Sequence, residues 1–263
     1  RYPAFCLKQR YMADWDPGIV IGRRKNLDAH IYTYLDQCVV QLELYRSQRN
    51  RRLLRPALRA MRFLREGDGA CITGGAGIWE CWTNDQDGRK ALAETCASAY
   101  QIRVYDSLLR LDGDAAYGDL MERTIYNTLF AAQEPNGRRI RYYSPFEGPR
   151  EFYPGDTYCC PNNYRRILAE LPMMLYYEAD RGVAVNLYSE SEARLTVAEK
   201  VKLTLRQETD YPTSGKVTLI LDPETSARFP LKLRIPQWCE TASVAVNGQA
   251  ANVTIRPGRF VEL

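Results

Sequence analysis

The sequence predicts a mixed fold in which αα-hairpin repeats precede an antiparallel β-sandwich. In the first two thirds of the chain, apolar residues recur every three to four positions, the period of an amphipathic helix. The segment Leu44–Leu53 lines up with Leu108–Tyr117, and in each a helical pattern ends, the chain turns and a second helical pattern begins. From Gly182 onward the period changes to two, which is typical of half-buried strands. Repeated αα-hairpins favour an α/α toroid or an α-solenoid. We therefore expect a helical domain over 1–180 and a β-sandwich over 181–263.

The helical part contains five segments with the helical period. In the first, Ile31, Leu35 and Val39 lie on one face. The predicted helices are Leu27–Tyr45, Leu53–Leu64, Lys90–Leu111, Ala115–Ala132 and Tyr164–Tyr177. The dense basic run Arg46–Arg55 lies between the first two, and we interpret it as a solvated turn rather than a phosphate-binding patch.

The second part contains short alternating runs separated by turn residues. Asn247-Gly248, which lies next to the last of these runs, is a typical two-residue hairpin turn. The predicted strands are Val183–Tyr188, Val201–Leu205, Val217–Leu221, Leu231–Ile235 and Val244–Val246. These strands predict an antiparallel β-sandwich that lacks its final strands.

Composition excludes several classes of protein. The net charge is +4 and basic and acidic residues are interspersed, so we expect no nucleic-acid partner. The chain contains no apolar run of the roughly 20 residues that span a bilayer, and we expect no membrane partner. The eight cysteines are Cys6, Cys38, Cys71, Cys81, Cys96, Cys159, Cys160 and Cys239. Their irregular spacing predicts reduced thiols rather than a disulfide framework, and hence a cytoplasmic location.

A glycine-rich loop, Thr73–Glu80, follows the second predicted helix. Its glycines match neither the P-loop nor the dinucleotide-binding spacing. We interpret them as positions where the backbone comes close to a ligand and presents Glu80. A solvated loop carboxylate is the alternative interpretation for Glu80.

Glu94-Thr95-Cys96 is a second candidate site. Side chains two residues apart on a helix point about 200° away from each other. Glu94 and Cys96 can therefore bind one ion only at a frayed or distorted helix start. A buried cysteine beside a capping glutamate is the alternative.

The adjacent pair Cys159-Cys160 is the third candidate. A vicinal disulfide or two core thiols would be structural explanations, whereas thiolates at a helix N-terminus have a lowered pKa and bind metals. Pro161 suits the first turn of that helix, and Asn162-Asn163 are expected to cap it. With Glu94 and Cys96 the pair offers one carboxylate and three thiolates, a set that suits tetrahedral zinc. His30, the only histidine, is by its chemistry alone a satisfied core residue.

Taken together, these motifs resemble glycoside hydrolase family 127, the β-L-arabinofuranosidase-like proteins. The resemblance extends over nearly the whole chain. The motifs, in chain order, are Thr73-Gly74-Gly75, Glu80, Glu94-Thr95-Cys96 and Cys159-Cys160-Pro161-Asn162. The resemblance implies an (α/α)6 barrel followed by β-sandwich domains. With roughly five helices in this chain, it also implies that the N-terminal part of the barrel is lacking.

The resemblance also implies roles for individual residues. The residues that match the family's zinc ligands are Glu94, Cys96, Cys159 and Cys160. Cys159 matches the nucleophile and Glu80 the general acid/base, while His30 and Tyr142 match substrate-binding residues. Ser144 replaces the Asn of the family's Tyr-x-Asn-Pro stretch, which weakens the match of Tyr142. The implied reaction is retaining hydrolysis of β-L-arabinofuranosides, with a carbohydrate as the binding partner.

Two other functions remain open at this stage. The chain would be a non-catalytic helical-repeat and β-sandwich interaction module, or an inactive fragment, if its cysteines were merely structural. It would be an α/α-toroid polysaccharide lyase if a Tyr, His or Arg acted as base, although a lyase does not need clustered thiolates.

Overall fold

The computed structural model describes Ile19 and residues 30–149, 151–152 and 158–263. Cys6 and the first three residues of the predicted first helix lie outside these ranges. Contacts divide the chain into two units. One contains residues up to Asp112 together with Leu120–Leu168, and the other contains Gly113–Asp119 with Ala169–Leu263. The domain boundary at residue 180 stays a prediction.

The first unit begins with a helical hairpin. Helix α1 (Ile31–Gln48) follows His30, whose Nδ1 accepts a hydrogen bond from the Thr33 N–H. It ends at Arg49, which adopts the left-handed conformation. A 3-10 turn then leads into α2 (Arg55–Glu66), which packs against α1. The basic run therefore forms an inter-helix turn, as predicted.

Helix α3 (Thr95–Asp112) is the most buried helix of the first unit and packs against α1. The predicted start at Lys90 is wrong. Ala91–Ala93 form backbone hydrogen bonds with the glycine-rich loop and with Ser144 instead of continuing a helix. Ala93 also has a positive φ, which ends any helical path toward the N-terminus.

Helix α4 (Ala115–Thr124) continues into a wider π turn, Ile125–Leu129, and a 3-10 turn, Phe130–Ala132. The predicted span is confirmed, although its last two turns are not α-helical.

Helix α5 (Cys159–Glu170) begins five residues earlier than predicted, at the first cysteine of the vicinal pair. It ends before a 3-10 turn that contains Pro172, because proline interrupts the helical hydrogen bonds. Pro161 lies in the first turn, as predicted. Asn162 and Asn163 lie inside the helix rather than at its cap, so the predicted capping role is wrong.

The second unit is built from β-strands in two main sheets and a small hairpin. The strands are β1 (Tyr176–Ala179), β2 (Gly182–Val185), β3 (Ser191–Val197), β4 (Val201–Glu208), β5 (Thr218–Pro223), β6 (Leu231–Ile235), β7 (Ala245–Val246), β8 (Gln249–Ala250) and β9 (Arg259–Glu262). One sheet has the order β1-β2-β6-β9 and the other β3-β4-β5. A single core contains apolar residues of both sheets, which is the layering of a sandwich.

Two details of the sandwich differ from expectation. β2 and β6 run parallel, whereas every other pair of strands is antiparallel within the described residues. Strands β1, β3, β8 and β9 were not predicted. The predicted hairpin turn at Asn247-Gly248 is confirmed, since both residues have positive φ and join β7 to β8.

Candidate active site

Glu80 lies in a tight turn at the N-terminal end of α1. Ile78 and Cys81 exchange backbone hydrogen bonds of 3.1 and 3.0 Å, and the two residues between them both have positive φ. The Glu80 carbonyl accepts a hydrogen bond of 2.9 Å from the Ile31 N–H. This bond satisfies one of the free N–H groups at the helix start and holds Glu80 beside His30.

Two glycines before Glu80 are packed closely against other parts of the protein. A Cβ on Gly77 would lie 2.2 Å from Ile31 Cδ1, and one on Gly75 would lie 2.4 Å from the Ala93 Cβ. Close approach of the loop backbone to a ligand stays a prediction. The loop nevertheless presents Glu80 toward the residues described next.

Glu94 immediately precedes α3 and therefore lies at the helix start. This is the position at which the side chains of Glu94 and Cys96 are predicted to be able to bind one ion. Thr95 donates from its N–H to the Tyr142 carbonyl at 2.9 Å and from its hydroxyl to the Arg141 carbonyl at 2.7 Å. Glu94 pairs with Tyr143 in the same short bridge. Because Glu94 is outside the helical path, its side chain can approach that of Cys96.

The predicted set of four ligands comes together. One ligand atom from each of Glu94, Cys96, Cys159 and Cys160 lies within 4.8 Å of the others. The Sγ atoms of Cys96 and Cys160 are 3.4 Å apart, and Cys160 Sγ is 3.8 Å from Glu94 Oε1. Cys159 and Cys160 are free thiols, so the pair is not a vicinal disulfide.

This geometry fits a tetrahedral metal ion. Two thiolates bound at about 2.3 Å in a tetrahedron are about 3.8 Å apart. Glu94 is buried, and among the described residues its Oε2 has no hydrogen-bond partner. A bound cation would satisfy this oxygen, which would otherwise be costly to bury.

Burial raises the pKa values of the Glu94 carboxyl and the Cys159 thiol. The pKa of Glu94 is raised to about 7 by desolvation and by the neighbouring Glu80 carboxylate. The pKa of Cys159 is raised to about 11, chiefly by desolvation. The helix N-terminus therefore does not by itself produce the reactive thiolate that the sequence predicts. A cation at the cluster would reverse this direction.

His30, Glu80 and Tyr142 lie beside the cluster. The Tyr142 hydroxyl donates a hydrogen bond to Glu80 Oε1 and lies 3.9 Å from Cys159 Sγ. His30 Nε2 is 3.8 Å from Glu80 Oε2. His30 is half-buried, and desolvation lowers its pKa. All seven residues named from the sequence are therefore brought together, and His30 is not a simple core histidine.

Two residues of this site were not predicted. Asn163 is buried, and its Nδ2 donates to Cys96 Sγ at 3.1 Å. Tyr158 stacks on Tyr142 with ring centroids 5.7 Å apart and 9° between the planes. The spacing of Asn163, one helical turn after Cys159, would have placed it on the same face if the helix start had been known.

Comparison with known proteins identifies the family. The model of the β-L-arabinofuranosidase GH127 catalytic domain matches residues 22–173, more than half of the chain. The chain belongs to glycoside hydrolase family 127. The model of the GH127 middle domain matches residues 182–263.

Individual relatives agree with this assignment. A non-reducing end β-L-arabinofuranosidase of Bifidobacterium longum subsp. longum is 27% identical, and the match covers 73% of this chain and 32% of that protein. A GH127 β-L-arabinofuranosidase structure from Geobacillus stearothermophilus T6 is 26% identical, with a TM-score of 0.77 over 89% of this chain and 40% of that chain. A further GH127 β-arabinofuranosidase structure has 27% identity and a TM-score of 0.75, with the same coverage.

The chain therefore spans about a third of the curated relative and about two fifths of these solved structures. The resemblance and the predicted fold class, helical repeats followed by a sandwich, are confirmed. Within the described residues, every helix is too short or too polar to serve as a membrane span.

Proposed function

We propose that this site belongs to a zinc-dependent retaining glycoside hydrolase that acts on non-reducing-end β-L-arabinofuranosides. The observation that carries the proposal is the meeting of two reactive groups at one hydroxyl. The accessible thiol of Cys159 and the carboxylate of Glu80 both contact Tyr142 Oη. A nucleophile and an acid/base on the two sides of one small site are what retaining hydrolysis requires.

The cluster would hold the metal. One buried carboxylate and three thiols suit zinc better than magnesium or calcium, which prefer oxygen ligands. When bound, zinc supplies the positive charge that keeps Cys159 as thiolate near neutral pH and makes its sulfur a better leaving group.

The reaction follows from the positions of two side chains. Cys159 Sγ attacks the anomeric carbon while Glu80 gives its proton to the leaving oxygen, so that the glycosidic C–O bond breaks and a thioglycosyl enzyme forms. Glu80 then takes a proton from water, the water oxygen attacks the anomeric carbon, and the C–S bond breaks to return the thiolate. Two inversions at one carbon give net retention.

The neighbouring polar groups bind and orient. Tyr142 keeps its proton, because burial and the hydrogen bond to Glu80 raise its pKa. The Nδ1 of His30 accepts from the Thr33 N–H, so in the neutral ring the proton is on Nε2, which faces Glu80. The Tyr142 oxygen can thereby accept a hydrogen bond from a furanose hydroxyl while its proton stays on the bond to Glu80, and the His30 Nε2–H can donate to another hydroxyl. A sugar is the partner that we propose.

Kinetics of matched variants test this proposal. The zinc-loaded chain is expected to hydrolyse nitrophenyl β-L-arabinofuranoside. Replacement Cys159→Ser is expected to lower kcat/KM at least about 100-fold, and Glu80→Gln is expected to lower kcat by a similar factor because hydrolysis of the intermediate becomes slow. Glu80→Gln should keep one zinc per chain by elemental analysis. Cys239→Ser, in the second unit, is the control and should keep both activity and zinc.

Full activity of either site variant would contradict the proposed roles. A chain that holds no zinc and hydrolyses no glycoside would favour a non-catalytic interaction module. Release of an unsaturated uronate would instead favour a polysaccharide lyase.

A further inference from the structure

An exposed tryptophan lies next to Glu80, and the packing of the core does not explain it. Trp79 is 53% exposed. Its φ is 51°, a conformation in which a bulky residue is strained. The tight turn that also carries Glu80 imposes this φ, and residues held in such conformations cluster at binding and catalytic sites. The side chain of Trp79 therefore points to a role at the surface.

A row of aromatic rings connects this tryptophan to the catalytic candidates. The rings of Trp79 and Tyr143 have centroids 5.7 Å apart and planes at 71°. Tyr143 contacts Tyr142 at 4.7 Å, and the Tyr142 hydroxyl is bonded to Glu80. The backbone N–H of Trp79 also donates to the Ala91 carbonyl at 3.0 Å, which fixes the backbone of the turn. An exposed indole is thus fixed at one end of the row, two rings from the acid/base.

We propose that Trp79 is a platform for the leaving-group part of the substrate, with a second sugar ring as its ligand. This inference rests on the proposed function. A general acid acts within about 3 Å of the oxygen that it protonates, so the leaving sugar begins beside Glu80. The C–H faces of a sugar are apolar while its rim is polar, and an exposed indole offers a large rigid apolar surface with one polar N–H. The chain then prefers disaccharides over simple glycosides.

Two substrates separate this role from general damage to the site. They are methyl β-L-arabinofuranoside, which has almost no leaving group to stack, and a β-L-arabinofuranosyl-arabinose disaccharide. Trp79→Gly is expected to lower kcat/KM for the disaccharide at least about tenfold and to leave the methyl glycoside within about twofold, since binding energy from the remote sugar is lost. Glycine suits the positive φ, so Tm should not fall. Trp79→Phe keeps a ring and should retain most of the preference.

Trp238 provides the matched control, because it is 61% exposed and lies in the second unit. Trp238→Ala should leave both substrates unaffected. An equal loss on both substrates with Trp79→Gly, or no loss on the disaccharide, would overturn the inference.

Failure of the proposed function gives a different result. If the unmodified chain hydrolyses neither substrate, the proposed function is contradicted, and calorimetric titration of the Glu80→Gln chain with the disaccharide decides the platform. If Trp79→Gly, introduced into the Glu80→Gln chain, weakens binding of the disaccharide, the result supports the platform role of Trp79. Binding that is unchanged or absent overturns it.

Discussion

At the scale of single residues, the two adjacent cysteines have different environments. Cys160 is fully buried among Cys96 and Glu94, whereas Cys159 is accessible and contacts Tyr142. An accessible sulfur can approach a substrate, whereas a buried sulfur can only bind a metal ion. The division into nucleophile and ligand that we propose follows from this difference in exposure.

The side-chain amide of Asn163 contacts Cys96, one of the proposed zinc ligands. It donates to Cys96 Sγ at 3.1 Å, and groups that hydrogen-bond metal ligands typically change metal affinity about 10–100-fold when they are removed. We expect Asn163→Ala to weaken zinc binding by that factor in a chelator competition. Replacement by Asp, which removes the amide donor, should weaken it as well.

Asn162 is the control for this prediction. It is exposed, and its amide donates to the Tyr158 carbonyl rather than to a ligand. Asn162→Ala should therefore keep the zinc affinity. Equal affinities for the Asn163→Ala chain and the unmodified chain would show that the amide does not orient Cys96.

At the scale of elements, the sequence identifies the residues of the Cys/Glu cluster better than it locates the helices that carry them. The apolar pattern predicts a start at Lys90 because Leu92 and Ala93 continue it, although these residues pack with Ile78 in a loop cluster. The pattern from Tyr164 predicts a start five residues too late because it leaves Cys159 outside the helix. The first error concerns backbone hydrogen bonds to distant segments, which periodicity does not reveal.

The same limit explains the missed strands. Ser191–Val197 contains charged residues on its exposed face and lacks a clear apolar run. The parallel pairing of β2 with β6 joins residues far apart in the chain, and local turn signals do not specify it. In contrast, the hairpin at Asn247-Gly248 is determined by two adjacent residues and was predicted correctly.

The turn that carries Glu80 depends on one glycine. Gly77 has φ +83°, and an added Cβ would lie 2.2 Å from Ile31 Cδ1 and 2.8 Å from the Cys81 carbonyl. We expect Gly77→Ala to lower the free energy of unfolding by about 2 kcal/mol or more, through strain and overpacking together. Activity should fall with it because Glu80 is displaced. Urea unfolding and kinetics would measure both effects.

Replacement of Gly113 is a control that distinguishes the cost of backbone strain from the cost of close packing at Gly77. Its φ is +72°, and an added Cβ would meet nothing within 4 Å. Gly113→Ala should therefore cost only about 1 kcal/mol and leave kcat/KM unchanged. If the two replacements behave alike, close packing around Gly77 does not hold the Glu80 turn.

At the scale of the whole molecule, each unit has its own source of stability. The second unit combines the core between its sheets with a buried charge, Arg234. This side chain is fully buried, and it donates to Asp119 at 2.5 Å and to the Asn186 carbonyl at 2.6 Å. Gly118 makes room for it, since an added Cβ would lie 2.5 Å from Arg234 Cδ.

Removing the acidic partner should destabilise the second unit strongly. Asp119→Ala leaves a buried guanidinium without its carboxylate, which typically costs about 3–5 kcal/mol. Glu192→Ala is the control, because its pair with Arg206 is exposed on β3 and β4 and contributes less than about 1 kcal/mol. Thermal unfolding would rank the two variants, and equal effects would show that burial does not govern this pair.

The family and the order of helices and sandwich could be predicted for the whole molecule, because motifs and periodicity are local. All seven predicted site residues converge in the structure. Asn163, Tyr158 and Trp79 were not predicted, because their contacts depend on how distant segments pack.

We propose that Cys159 is the nucleophile of a retaining glycosidase, and trapping of the covalent intermediate would test this role. Glu80→Gln removes the base that activates water, so an activated nitrophenyl β-L-arabinofuranoside should glycosylate the enzyme faster than the intermediate is hydrolysed. Peptide mass spectrometry of the quenched reaction should then find one arabinosyl group on the peptide that contains Cys159. An arabinosyl group on another residue, or turnover with no adduct in this variant, would contradict the claim.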